Sequence, residues 1–211
     1  MSRLLRSLAL LLLLPLWAAG FYSVEAQAQV KIGEKAPDFP MKGTDGKEHK
    51  LSDYLGKTVV LEWFNHDCPF VKKHYDPSVK NMQSLQKSAT DDGVIWVSIN
   101  SSAQGKQGHL TTEEAIEIST EKAAHPSVIL LDANGKIGKL YGARTTPHMF
   151  IIDKAGILRY MGAIDSTPST DASDISASKN YISQALAEIK ADKPVNEPVT
   201  EAYGCSVKYG L

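Results

Sequence analysis

Residues 58–75 read TVVLEWFNHDCPFVKKHY, and the fold turns on how this stretch is parsed. Thr58–Phe64 is β-branched, aliphatic or aromatic throughout except for Glu62. A run so short and so apolar predicts a strand buried on both faces. From Cys68 the pattern changes. Val71, Tyr75, Val79, Met82 and Leu85 recur at spacings of three and four, which predicts a helix over Cys68–Lys87 with a kink at Pro77. Cys68 therefore stands where a strand hands over to a helix. The free amides and the macrodipole at that helix end favour a thiolate. Pro69 suits the first turn, and Lys72 and Lys73 add positive potential. Cys68 is a candidate nucleophile, against the plainer reading of a buried, inert cysteine.

Outward from this unit, short apolar runs alternate with helical patterns. Gly93–Asn100 (GVIWVSIN) and Ser127–Asp132 (SVILLD) predict further buried strands. Thr111 and Glu114 form a capping box that opens a helix to about Ala124. Ile137–Ala143 predicts a short helix after the turn at Asn134-Gly135. His148–Asp153 and Ile157–Met161 flank Lys154-Ala155-Gly156 and predict an antiparallel hairpin. Asp165–Ser178 reads as a loop, and Asn180–Lys190 as an amphipathic helix. The remainder, from Ala191, carries Pro194, Pro198 and Cys205 and shows no periodicity. The expected class is α/β with a central mixed sheet flanked by helices.

The whole chain has 211 residues, enough for one domain with extensions. Its 23 basic and 24 acidic side chains give a formal net charge of −1, which offers no net basic charge to nucleic acid. Two cysteines exclude a disulfide-dense scaffold and a four-thiolate zinc site, leaving one disulfide or one redox pair. Residues 1–28 read as a secretory signal peptide. Arg3 and Arg6 supply the charged start, Leu8–Ala19 the apolar run, and Ala26-Gln27-Ala28 the small residues before a cut. The run is short for a spanning helix, so no stable membrane insertion is expected once it is cleaved; an uncleaved anchor is the alternative. The expected organisation is a signal peptide at 1–28, a domain at 29–190 and a tail at 191–211. The expected location is periplasmic or secreted, in an oxidising compartment where two cysteines tend to pair. Asn100-Ser101-Ser102 also matches a glycosylation acceptor.

The order β–α–β–α–β–β–α, with Cys68 at the strand-to-helix junction and Thr146-Pro147 before the hairpin, resembles the thioredoxin fold. More closely, the chain resembles the exported redoxins, AhpC/TSA-like and peroxiredoxin-like proteins, over about residues 31–190. Ala36-Pro37-Asp38-Phe39, Asp45-Gly46 and Leu51-Ser52-Asp53-Tyr54 are similar to the N-terminal hairpin of that family. Gly204-Cys205-Ser206-Val207-Lys208 resembles the ending of a single-domain subgroup.

The resemblance implies thiol oxidoreductase chemistry with no resident cofactor. A peroxide or a disulfide would be the substrate, and a thioredoxin-like protein or a small thiol the reducing partner. The usual Cys-x-x-Cys is broken, because Val71 stands where the second thiol would be. Cys205 is the one other thiol, and a tail that folds back would bring it to Cys68 to resolve the product. Glu62 stands at the offset where thioredoxins bury an acid, and is expected to exchange a proton with the Cys68 sulfur. Thr146-Pro147 matches the cis-proline of the family, whose neighbouring backbone groups pair with an extended substrate. Leu61 and Asn65 replace the Pro and Thr of the peroxide-reducing motif, and Arg144 is near the family's arginine but not at its spacing. Asn65 and Arg144 remain candidate donors to a bound oxyanion. Two other readings stand beside this one. One is a copper-binding module using Cys68 with His66, His74 and His148. The other is a non-catalytic thioredoxin-like domain stapled by Cys68 and Cys205.

Overall fold

The computed structural model describes residues 30–210, so the predicted signal peptide lies outside the described residues. Strands β1 (Pro40–Lys42) and β2 (Glu48–Lys50) form the small antiparallel N-terminal hairpin. Then come β3 (Val59–Trp63), α1 (Pro69–His74), α2 (Asn81–Asp91), β4 (Ile95–Asn100), α3 (Thr112–Glu121) and β5 (Val128–Leu131). The chain continues through α4 (Lys136–Tyr141), β6 (Thr145–Thr146), β7 (His148–Ile152), β8 (Leu158–Gly162), α5 (Tyr181–Lys190) and β9 (Cys205–Ser206). The central sheet runs β5-β4-β3-β7-β8. β3 is parallel to β4 and antiparallel to β7, which makes the sheet mixed.

Strand β3 is the middle of this sheet and every one of its residues is buried. Side chains alternate across a strand. Val59, Leu61 and Trp63 therefore enter the core layer closed by Phe39 from the N-terminal segment and by Ile137 and Tyr141 of α4. Val60 enters the other layer, with Cys68, Val71, Tyr75, Met82, Trp96 and Ile182. Each fully buried side chain of this size contributes about 1.5–3 kcal/mol relative to exposure. The two-sided burial is what the apolar run at 58–64 encodes.

Two sequence expectations change. The helix predicted over Cys68–Lys87 is two helices, and Pro77 breaks it rather than kinking it. Pro77 cannot donate a backbone hydrogen bond. Asp76 offers the chain an alternative, since its Oδ1 accepts from the Ser78 amide at 2.8 Å. Lys80 then turns into the left-handed region at φ 53° and α2 starts afresh. Val79, expected on the apolar stripe, is consequently exposed. The predicted glycosylation acceptor Asn100 is buried, with its Nδ2 donating to Gly108 O at 2.9 Å, so no sugar can be attached there.

The segment after Ala191 is unperiodic yet ordered along the molecule. It crosses β8, where Thr200 N donates to Met161 O at 3.1 Å, and then adds β9 to the edge of β6.

Candidate active site

The β3–α1 loop is shaped by Asn65. Its Oδ1 accepts from the Asp67 amide at 2.9 Å, and its backbone carbonyl accepts from the Cys68 amide at 3.0 Å. Its Nδ2 donates to Gln107 O at 3.3 Å. Gly108 packs so close to this amide that a Cβ there would stand 2.1 Å from Asn65 Oδ1. Asn65 is thus buried and engaged in holding the loop that presents Cys68. Cys68 is the N-cap of α1, with Pro69 at the first helical position as the sequence predicts.

The Cys68 thiol donates to Thr146 O at 3.0 Å, and its Sγ lies 2.7 Å from Cys205 Sγ. The Thr146-Pro147 peptide bond is cis, as expected. β9 brings Cys205 in by pairing Thr145 with Ser206 and Thr146 with Cys205. The structure therefore gathers Cys68, Cys205, Thr146 and Pro147, residues up to 137 positions apart, around two sulfurs.

The two thiols are electrostatically unlike. Burial opposes ionisation of Cys68. Hydrogen bonds from the Cys205 thiol, from the backbone of Val71 and Cys205 and from the Thr146 side chain outweigh it and hold Cys68 below the ordinary thiol range. Cys205 is pushed up to about 11, by burial first and then by its hydrogen bond to Cys68 and the charge there. Of the two, Cys68 is the thiol that gives up its proton more readily.

Glu62 is fully buried on the Cys68 side of the sheet. Oε1 accepts from Tyr75 OH at 2.8 Å. Oε2 accepts from Trp96 Nε1 at 2.8 Å, Ser98 Oγ at 2.9 Å and Gln86 Nε2 at 3.0 Å. Burial raises its pKa despite those four donors. None of these contacts is with Cys68; Glu62 shares the sulfur's apolar layer through Tyr75 and Trp96.

Other expected residues lie apart. Arg144 is exposed, and among the described residues its side chain has no carboxylate partner. Lys73 does not lend its charge to Cys68. Its ammonium is buried and bound to Asp165 Oδ2 at 3.0 Å and Thr167 O at 2.7 Å. His74 Nδ1 accepts from Asn81 Nδ2 at 2.9 Å, and its Nε2 lies 3.3 Å from Tyr203 OH. His148 Nδ1 accepts from the Arg144 amide at 3.4 Å. No three His, Cys, Asp or Glu side chains converge among the described residues, so the copper-site grouping of Cys68 with these histidines is not assembled.

Two features escape a local reading of the sequence. Gln86 sits with Met82 and Ala89 on the buried face of α2, and a polar residue on that stripe was the available signal. Tyr203 donates to Asp165, whose other oxygen holds Lys73, and no local pattern marks that cluster.

No helix among the described residues is long and apolar enough to cross a membrane. A model of the AhpC/TSA family matches residues 32–161, more than half of the chain. The thiol-disulfide oxidoreductase ResA of Geobacillus thermodenitrificans is 29% identical over 157 residues, covering 72% of this chain and 82% of the relative. Peroxiredoxin Bcp of Bacillus subtilis is 28% identical over 145 residues, covering 64% and 79%. Among solved structures, an uncharacterized conserved protein from Geobacillus kaustophilus matches with a TM-score of 0.71 at 25% identity, covering 87% of this chain and 94% of that one. Peroxidoxin BcpB from Mycobacterium tuberculosis matches with a TM-score of 0.52 at 19% identity, covering 77% and 98%. A mixed sheet of this order, a cysteine opening α1 opposite a cis-proline and a family match across the core lead to one conclusion: the chain belongs to the AhpC/TSA family and has a thioredoxin-like fold.

Proposed function

We propose that the protein is an exported thiol oxidoreductase that reduces disulfides through Cys68, with Cys205 as its resolving thiol. The observation that carries this reading is the pairing of unlike thiols 2.7 Å apart, one held below and the other above the ordinary range. A thiolate is the attacking form, and a neighbouring thiol that keeps its proton waits for the second step.

Cys68 thiolate attacks one sulfur of the substrate disulfide. A Cys68–substrate disulfide forms, and the other substrate sulfur leaves as a thiolate and takes up a proton. Cys205 then loses its proton and attacks Cys68 Sγ, which forms the Cys68–Cys205 bond and releases the second substrate thiol. Two protein thiols are oxidised and one substrate disulfide is reduced, so no cofactor is needed. A thioredoxin-like dithiol, or two molecules of a small thiol, returns the bridge to two thiols and is itself oxidised to a disulfide. Glu62 serves as the proton store behind the sulfurs, a role supported by its burial in the same layer and its raised pKa. Thr146 and Pro147 present the edge on which substrate lies, and exposed Arg144 stands beside that edge to meet an anionic substrate group.

Disulfides are favoured over peroxides because Asn65 is already committed to its loop and Leu61 is core. The pattern of residues 1–28 supports export. The third reading, a permanent staple, predicts a bridge that strong reductants leave intact.

The test uses Cys68→Ser and Cys205→Ser with a model disulfide, followed by mass spectrometry. Cys68→Ser is expected to abolish turnover. Cys205→Ser is expected to accumulate a mixed disulfide on Cys68. Turnover retained in Cys68→Ser, or no adduct on Cys68 in Cys205→Ser, contradicts the proposal.

A further inference from the structure

This inference rests on the thiol-exchange reading above and names its substrate class. Cys205 and Ser206 lie antiparallel to Thr146 and Thr145, and the ladder continues with Val207 N donating to Arg144 O at 3.0 Å. The tail thus joins the β6 edge as an extended peptide augments a sheet. The fit is closest at Gly204, whose φ is +145°. A Cβ there would stand 2.1 Å from Thr146 O and 2.7 Å from Thr146 C. Both atoms are backbone and cannot swing aside, so in this seat only glycine can precede the cysteine. Cys68 beneath is fully buried, and Cys205 above it is partly exposed.

We infer that the tail is a tethered occupant of a polypeptide-binding edge, and that this edge takes oxidised polypeptides whose reacting cysteine follows a glycine in an extended segment. The tail lifts and such a polypeptide takes its place. Cys68 attacks the glycine-flanked sulfur, and the other half of the substrate disulfide leaves as a thiolate that is then protonated. When the tail returns, Cys205 attacks Cys68 Sγ and expels the substrate thiol. Resolution of the mixed disulfide and clearance of the edge are one movement. Tyr203 sets how firmly the tail sits, because its hydroxyl donates to Asp165, the partner of Lys73 on α1.

In full-length Cys205→Ser protein, Cys68 is the sole thiol. Its alkylation by iodoacetamide is compared with that in Cys205→Ser/Gly204→Ala and in Cys205→Ser/Tyr203→Phe, with circular dichroism as the check on folding. Gly204→Ala is expected to speed alkylation about tenfold or more, and Tyr203→Phe by less, since each unseats the tail by a different contact. The Gly204→Ala form is then mixed with two synthetic peptides carrying thionitrobenzoate on cysteine. One is Thr-Glu-Ala-Tyr-Gly-Cys-Ser-Val-Lys-Tyr-Gly; the other has alanine just before the cysteine. The glycine peptide is expected to release thionitrobenzoate about tenfold faster. Unchanged alkylation in both loosened variants overturns the tethered-occupant inference, and equal release from the two peptides overturns the glycine selection. If dithiobis(nitrobenzoate) itself fails to react with Cys68, the thiol-exchange reading falls. Reaction with that reagent but no peptide preference removes this inference alone.

Discussion

At the residue scale, Glu62 sets the proposed proton role against the cost of burial. A carboxyl at the middle of the central strand is costly to bury, and four donors converge on it. Glu62→Leu strands those donors. With about 1–3 kcal/mol for each buried group left unpaired, it is expected to lower the unfolding free energy by several kcal/mol in urea titration. Glu62→Gln fits one way round, with its amide nitrogen toward the Tyr75 oxygen, and is expected to cost far less. It removes the titrating group, however. The pH–rate profile of disulfide exchange should therefore lose one limb in Glu62→Gln, and an unaltered profile would remove Glu62 from the proton path. The place of Cys68 at the start of a helix was legible in the local pattern, and the burial of Glu62 and the cis bond at Pro147 were expected from the family resemblance. Tyr203 and Asp165 were not, because their meeting depends on how the tail crosses the finished fold.

At the scale of elements, the strands and the capping box at Thr111 follow from local pattern, and the structure keeps them. The α1–α2 break does not follow from apolar periodicity, which runs through Pro77 undisturbed. It comes from backbone chemistry: a missing amide at Pro77 and a competing acceptor on Asp76. The tail escaped for the opposite reason. Its order comes from partners on β6 and β8 rather than from any periodicity of its own. Beside its backbone bonds, the tail is tied by the Tyr203 hydroxyl to the buried carboxylate of Asp165. Tyr203→Phe is expected to cost about 1.5–3 kcal/mol by thermal or urea unfolding, the range for a hydrogen bond to a charged group. A change within a few tenths would mean the tail is held by its backbone ladder and packing, without help from this hydroxyl.

At the scale of the whole molecule, both sheet faces are closed, and the buried histidines make that closure sensitive to acid. Burial, with Lys73 adding to it against the pull of Asp165, brings His74 down to about 4 from 6.5. Burial, with Arg144, brings His148 down to about 4. In this window the unfolded chain binds protons that the folded chain refuses. The stability due to these residues is full above about 6.5 and is lost as pH falls toward 4, at about 1.4 kcal/mol per unit of pKa difference for each histidine. Urea midpoints are expected to fall steeply between pH 6.5 and 4.5, and His148→Gln should flatten the slope. A midpoint independent of pH across that range would contradict the neutral, buried assignment.

The same closed architecture seats a buried thiol, Cys68, directly beneath a partly exposed one, Cys205, and the account stands on their working as a reversible couple. Its most direct test is equilibration of the full-length protein in thiol–disulfide buffers of graded potential, with the Cys68–Cys205 peptide quantified by mass spectrometry after acid quench. The account predicts a bridge that forms and opens reversibly, with a midpoint above about −300 mV. A bridge that never forms, or one whose midpoint lies well below that value, would contradict it.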